Sequence, residues 1–252
     1  MTTADTNLRY AILSDVHANL EGLEVVLKDS LEQKCTHYVC LGDIVGYGPN
    51  PKECLAAIRG LECPVIMGNH DEYCASEMEL VGFNAMAAEA IRWTRTQLTV
   101  EEKEWLRELK YVRHVESFTI VHATLDLPER WAYVFDRLAA QSSFNYQHTA
   151  VCFNGHTHVP GIWEENPETF GVRCLKPGEK PVRLNPSKRY TVNVGSVGQP
   201  RDGDPRASYA LYDYEQHLLL MRRVSYDVKK AQVRFKKAGL PAHNSTRLAK
   251  AE

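Results

Sequence analysis

Apolar and polar positions change their period along the chain, and each change marks where an element starts or stops. Leu8 to Leu13 is a largely apolar run that reads as a buried strand, and Leu20, Leu23, Leu27 and Leu31 follow at the spacing of one helical face. Asn19 is placed to cap that helix. The pattern then repeats. Tyr38 to Leu41 predicts a strand, a Gly-rich turn follows, and Asn50-Pro51 opens a helix with Pro at its first position and Leu55 and Ile58 facing inward. Pro64 to Met67 predicts a third strand. Alternating strands and helices imply βαβ units and a mainly parallel sheet, with functional residues just beyond the carboxyl ends of the strands.

Residues 83–109 break this rhythm. Met86, Ala90, Ile91, Thr94 and Leu98 recur at helical spacing, and Thr99 with Glu102 forms a capping-box pattern ahead of Trp105, Leu106 and Leu109. The second half turns strand-rich, with predicted strands at Phe118 to His122, Ala150 to Asn154, Val159 to Trp163, Val182 to Leu184, Tyr190 to Val194, Ser208 to Tyr212 and Leu218 to Val224. Two packed sheets are the natural result. Residues 164–189, rich in Pro, Gly and charge, read as an inserted loop or hairpin. Asp227 is the expected N-cap of a closing Lys- and Arg-rich helix that runs to about Lys237, and its charge reads as a solvated face.

The chain has 252 residues, 44% of them hydrophobic, which suffices for one large core. A single domain over 1–252 is the expectation, with the 83–109 helices and the 164–189 hairpin as insertions. Lys plus Arg (30) nearly balance Asp plus Glu (32), so no global basic field holds a polyanion, which speaks against polymeric nucleic acid as partner. Met1 to Asn7 is polar, and no apolar run is long enough to span a bilayer, so a cytoplasmic protein is expected. Seven cysteines at irregular spacings, with no Cys-x-x-Cys pair, read as core-filling thiols.

The chemistry-bearing residues gather where strands are predicted to end. Asp15-x-His17 follows the first strand, Gly42-Asp43 the second, Gly68-Asn69-His70-Asp71 the third, His122 a fourth, and Gly155-His156-x-His158 a fifth. On an extended chain residues two apart point to one side, so each two-apart pair reads as a pincer. Mixed oxygen and nitrogen ligands suit borderline divalent ions such as Mn, Fe, Co, Ni or Zn. Seven side chains are too many for one ordinary site, but they serve two if the Asp43 carboxylate bridges. Two ions about 3.5–4 Å apart would position a bridging hydroxide as nucleophile and neutralise charge on a phosphoryl group. Phosphate ester hydrolysis needs this arrangement most.

In order and spacing these motifs resemble the full signature of the calcineurin-like metallophosphoesterase superfamily. The flanking Leu41-Gly-Asp-Ile-Val-Gly-Tyr-Gly-Pro49 and Asn193-Val-Gly-Ser-Val-Gly-Gln-Pro-Arg-Asp202 resemble its small bacterial and archaeal phosphodiesterase-like branch. The resemblance implies an α/β fold, a four-layer αββα sandwich of two mixed sheets. It also implies that Asp15, His17, Asp43 and His158 hold one metal, and that Asp43, Asn69, His122 and His156 hold the other. His70 is then left to face the substrate as acid or charge stabiliser. One departure stands out: Gly46 and Tyr47 occupy the positions where the protein phosphatase branch carries an Asp that orients the catalytic His and an Arg that holds phosphate. Activity on phosphoproteins loses support, and the orienting partner of His70 is open.

Two divalent transition-metal ions, manganese favoured, and a small phosphodiester or phosphomonoester are therefore the expected cofactors and substrate. Arg201 and Arg206 are candidate phosphate contacts, although their Gly- and Pro-rich surroundings equally suit a surface turn. Asp71 reads as a helix cap. A second hypothesis is hydrolysis of a dinucleoside polyphosphate or cyclic nucleotide, which needs a stacking wall; Tyr47 and Trp131 are candidates for it. A third is a non-catalytic scaffold, disfavoured by the complete ligand set. The 83–109 helices could wall the site or support a homo-oligomer.

Overall fold

A computed structural model describes residues 8–178 and 180–252. Strand β1 (Arg9–Leu13) pairs in parallel with β2 (His37–Cys40), and between them lies helix α1 (Leu20–Glu32). The Asn19 side chain accepts from Gly22 N–H and caps α1. Helix α2 (Pro51–Gly60) starts with Pro at its first turn. After a segment that bridges β2 come α3 (Asn69–Ala75), α4 (Ala85–Gln97) and α5 (Val100–Arg107). The Thr99–Glu102 capping box forms, with both reciprocal hydrogen bonds in place.

The second half supplies β3 (Val112–Val115), β4 (Phe118–Val121), helix α6 (Arg137–Phe144), β5 (Val151–Asn154), β6 (Gly161–Asn166) and β7 (Gly171–Leu175). It continues with β8 (Val182–Arg183), β9 (Arg189–Asn193), β10 (Ala207–Asp213), β11 (Leu218–Val224), α7 (Val228–Lys237) and α8 (Ala242–Lys250). One sheet runs β2-β1-β10-β11-β8 and the other β3-β4-β5-β9-β6-β7.

Side-chain alternation builds the layers. Along β1, Tyr10 and Ile12 face the second sheet, meeting Phe118, Ile120, Phe153 and Val192, while Ala11 and Leu13 turn to the other side, against Leu23, Val26 and Leu55 of α1 and α2. On β10, Ala210 and Tyr212 join the core between the sheets, and Tyr209 and Leu211 the core under the helices. Beyond the second sheet, Ala140 and Phe144 of α6 cover Val172 and Trp163. Helices, sheet, sheet and helix make the α/β sandwich.

The strands are mixed, not mainly parallel: only β1–β2, β4–β5 and β5–β9 are parallel, because β10 and β11 return as a hairpin onto β1. Pro64 to Met67 makes single bridges to Cys40 and Lys110 and no ladder, since Pro64 has no N–H to give and the chain turns at Gly68 into α3. The strand expected at Val159 begins two residues later, at Gly161, and continues into a hairpin with β7, which accounts for the inserted segment. Of the seven thiols, all free, Cys35, Cys40, Cys54, Cys74 and Cys152 are buried, while Cys63 is half-buried and Cys174 exposed. Among the described residues no helix is long and apolar enough to cross a membrane.

Candidate metal centre

The loops that follow β1, β2, β4 and β5 converge at one edge of the sandwich. Their backbones are laced: Asp15 N–H donates to Gly42 O, His17 N–H to Asp43 O, and Gly155 N–H to His122 O. Lacing of this kind needs tight turns, and Asp15, His17, Asp43, His156 and His158 all take positive φ, between 45° and 67°. Asp and His tolerate the left-handed region better than most residues, and strain there persists where the surroundings over-determine it. The two pincers therefore arise from left-handed turns and not from extended chain. Glycine is required beside them, because a Cβ on Gly155 would collide with Ser14 Oγ and Asp15 Oδ2.

Two buried groups of donor atoms result. Asp15, His17, Asp43 and His158 form one, and Asp43, His122 and His156 the other, so Asp43 belongs to both. Its Oδ2 lies 3.5 Å from His17 Nε2 and 3.3 Å from His122 Nε2. Its Oδ1 is held at 2.8 Å by the His70 backbone N–H. Asp15 is divided in the same way: Oδ2 accepts from His156 N–H, whereas Oδ1 has no hydrogen-bond partner and faces His158 Nε2 at 3.2 Å. Asn69, at the first turn of α3, is buried with its Oδ1 unpartnered.

The four imidazoles are fixed by backbone carbonyls. His17 Nδ1 donates to Val45 O, His122 Nδ1 to Leu41 O, His158 Nδ1 to Gln199 O and His156 Nε2 to Trp131 O. A carbonyl only accepts, so each bonded nitrogen carries a proton and the other nitrogen is the one that can ligate once its ring is neutral. Those second ring nitrogens, His122 Nε2 among them, together with unpartnered Asp15 Oδ1 and Asn69 Oδ1, are what divalent cations would satisfy.

Electrostatics agree with that fit. Burial drives His17 well below the usual imidazole value and His156 down to about 3, which keeps both neutral. Burial would raise Asp43, but His122 and the neighbouring imidazoles prevail and hold it ionised. At His122 burial is outweighed by the Asp43 and Asp15 carboxylates, which raise it to about 9. A cation bound there would take the place of that proton.

His70 sits beside the clusters. Its ring packs on Tyr47, centroids 4.4 Å apart, and edge-on to His17 at 4.8 Å and Phe83 at 5.6 Å. Its Nδ1 has no hydrogen-bond partner, and a Cβ on Gly46 would collide with it. Aromatic packing thus orients the ring, with no acidic side chain on its Nδ1. Burial pushes the imidazole down to about 4, with Asp43 opposing and Arg201 assisting.

Asp71 does more than cap α3. Its Oδ2 accepts from Gly68 N–H, as a cap would, while Oδ1 accepts from Ile44 and Val45 N–H and ties the Asp43 loop to the helix that bears Asn69 and His70. The α4–α5 pair packs behind the same helix, and Arg95 and Arg107 donate to its Tyr73 and Ala75 carbonyls. A seven-residue helix is stabilised by such tertiary contacts more than by propensity.

The arginines separate. Arg201 lies over the Tyr47 ring at 5.7 Å, and its backbone N–H donates to His158 O. Arg206 is paired with Asp204 and lines a different surface pocket with Asp202, Arg222 and Arg223. Tyr47 is only 6% exposed, and Trp131 gives its indole N–H to Glu72 and packs T-shaped against the His122 ring at 5.7 Å.

Residues 8–217 match the model of the calcineurin-like phosphoesterase superfamily domain. An uncharacterized protein of Methanocaldococcus jannaschii is 38% identical over 242 residues, 94% of this chain and 96% of that one. A metallophosphoesterase from Sphaerobacter thermophilus superposes with a TM-score of 0.88 at 38% identity, over 98% of this chain and all of that one. Symmetrical bis(5'-nucleosyl)-tetraphosphatase of Coxiella burnetii is 30% identical over 117 residues, which are 44% of this chain and 38% of that protein.

Proposed function

Because the chain belongs to the calcineurin-like phosphoesterase superfamily and is a phosphoester hydrolase, we propose that it cleaves a small phosphodiester or phosphomonoester at the centre around Asp43. The observation that carries this reading is the position of Asp43 Oδ2 between two buried donor clusters. Asp15, His17, Asp43 and His158 would hold one divalent ion, and Asp43, Asn69, His122 and His156 the other. Bound there, the ions would neutralise phosphoryl charge and lower the pKa of the attacking water. Manganese is our first assignment, and iron, zinc, nickel and cobalt also suit oxygen and nitrogen donors without a thiolate.

His70 is the proposed acid. Burial keeps it neutral in the free protein, and an arriving phosphate anion would raise its proton affinity, so that it can protonate the leaving oxygen. Arg201, over Tyr47, is the proposed contact to a phosphate oxygen, whereas the pairing of Arg206 with Asp204 argues against that role for it. One domain spans the chain in this reading, with α4 and α5 as the wall behind α3. Seven free thiols support a reducing, cytoplasmic setting.

Nucleotide-class esters are the second reading. Partial similarity to the tetraphosphatases favours it. Purified protein loaded with Mn should release nitrophenol from bis(4-nitrophenyl) phosphate or from 4-nitrophenyl phosphate. Release from neither would remove the proposal.

A further inference from the structure

The segment between β4 and α6 runs across the metal centre and is pinned there. Trp131 O accepts from His156 Nε2, and Trp131 Nε1 donates to Glu72. Two residues on, the chain presents Tyr133, then buries Val134 against Ala140 and Phe144, then presents Phe135. With Val134 turned inward, the two rings on either side of it project together, as alternate residues do.

Tyr133 lies flat on the His156 imidazole, centroids 4.2 Å apart and planes 18° from parallel. Phe135 lies flat on Tyr133 at 5.2 Å and 13°. A three-ring stack therefore begins on a proposed metal ligand and ends in solvent, with Tyr133 48% and Phe135 61% exposed. The same chain hides Phe118, Phe153, Tyr190, Tyr209 and Tyr212 almost completely. Large rings left open next to a reaction centre mark a contact surface.

Geometry selects what that surface accepts. Near-parallel planes make the next member of the stack planar too, and continuity with His156 ties it to a group bound at the metals. Arg201, over the Tyr47 ring, supplies a cation suited to the phosphate. We infer that Phe135, backed by Tyr133, is the stacking platform for the base of a nucleotide whose phosphate is held at the Asp43 centre. The inference rests on the phosphoester hydrolase reading above and narrows its substrate class. The stacking wall that nucleotide hydrolysis requires is supplied by this pair, since Tyr47 is buried and the Trp131 indole is engaged with Glu72.

Two hydrolysis-resistant ligands that share a phosphate mimic test the platform: thymidine 5'-phosphorothioate and methyl phosphorothioate, titrated calorimetrically into the Mn-loaded full chain. The thymidine compound should bind about tenfold more tightly, the usual scale of one base on an aromatic face. That advantage should vanish in Tyr133→Ala and Phe135→Ala, and in Phe135→Leu, which keeps apolar bulk should the alanine variant fold poorly. Saturation-transfer NMR should give the thymine protons the strongest signal in the unmodified protein and a weak one in Phe135→Ala. Equal affinities for the two ligands, or an advantage that survives all three substitutions, overturn the inference. So does a dimer that dissociates on Phe135→Ala with nucleotide affinity unchanged, because the rings would then meet a second copy. Hydrolysis of bis(4-nitrophenyl) phosphate by the same preparations separates the two levels: its absence removes the enzymatic proposal, while the binding difference still decides the platform.

Discussion

The backbone N–H of His70 donates to Asp43 Oδ1 at 2.8 Å, so the residue proposed to face the substrate also aims the carboxylate proposed to join the two metals. With Oδ1 held, Oδ2 is the oxygen left toward both clusters. Replacing Asp43 by Asn puts an amide where an anion is needed by both. Bound metal should fall from about two ions per chain to one or fewer, and kcat/KM by more than about 100-fold, since even outer-sphere changes at such sites reach that scale. Elemental analysis and steady-state rates check this, with circular dichroism confirming the fold.

His70→Ala leaves the backbone N–H and its grip on Asp43 in place, so metal content should be unchanged. An acid matters most when the leaving oxygen is a poor one. The loss in kcat should be about 100- to 10,000-fold for an alkyl ester and distinctly smaller for a nitrophenyl ester. An equal loss for both would show that His70 does not deliver the proton.

Arg201→Ala should raise KM about tenfold with metal content intact, because one charge-assisted contact to phosphate is removed. Arg206→Ala should leave KM within about twofold, its guanidinium being held by Asp204 away from the centre. Kinetics of the two variants side by side test the assignment.

A pH-dependent contribution to stability lies far from the metals. Asp29 of α1 accepts from Tyr209 OH at 2.6 Å and from Arg222 Nε and Nη2 at 3.0 and 2.7 Å, joining the helix to β10 and β11. Burial would raise its pKa, but Arg222 and Tyr209 lower it. A depressed carboxyl pKa stabilises the fold above the unfolded value near 4, and that contribution is lost as pH falls through the folded value. Asp29→Asn should therefore cost about 1–2 kcal/mol at pH 7, a drop of about 2–8 °C in Tm, and the gap should narrow progressively as pH falls below about 4. Thermal unfolding across that pH range measures it.

Legibility followed physical locality. Strand ends, caps and turn residues are local, so the chain order of Asp15, His17, Asp43, Asn69, His122, His156 and His158 already placed them at one sheet edge. The left-handed backbone at five of them was not legible, because it arises from lacing between loops distant in sequence. Asp71 was read as a cap since only its Gly68 contact is local; its bonds to Ile44 and Val45 cross 26 or more residues. Pro64 to Met67 had strand composition without room for a ladder. Helix α8 escaped because its polar sequence buries little beyond Asn244 and Leu248. Tyr133 and Phe135 belong to no motif in the sequence, and only their stacking on His156 singles them out.

The donor atoms come from both sheets. Asp15, His17 and Asp43 extend β1 and β2, and His122, His156 and His158 extend β4 and β5. Cations held between them, as proposed, would act as rivets that close a loop from residue 15 to residue 158, and would then belong to the architecture as much as to the chemistry. Chelation should then lower Tm and loosen this edge first, with amide exchange quickening at Val16 and Gly155 while the Tyr212–Phe153 interior stays protected. Supply of metal would thereby govern how long the folded chain persists as well as how fast it turns over.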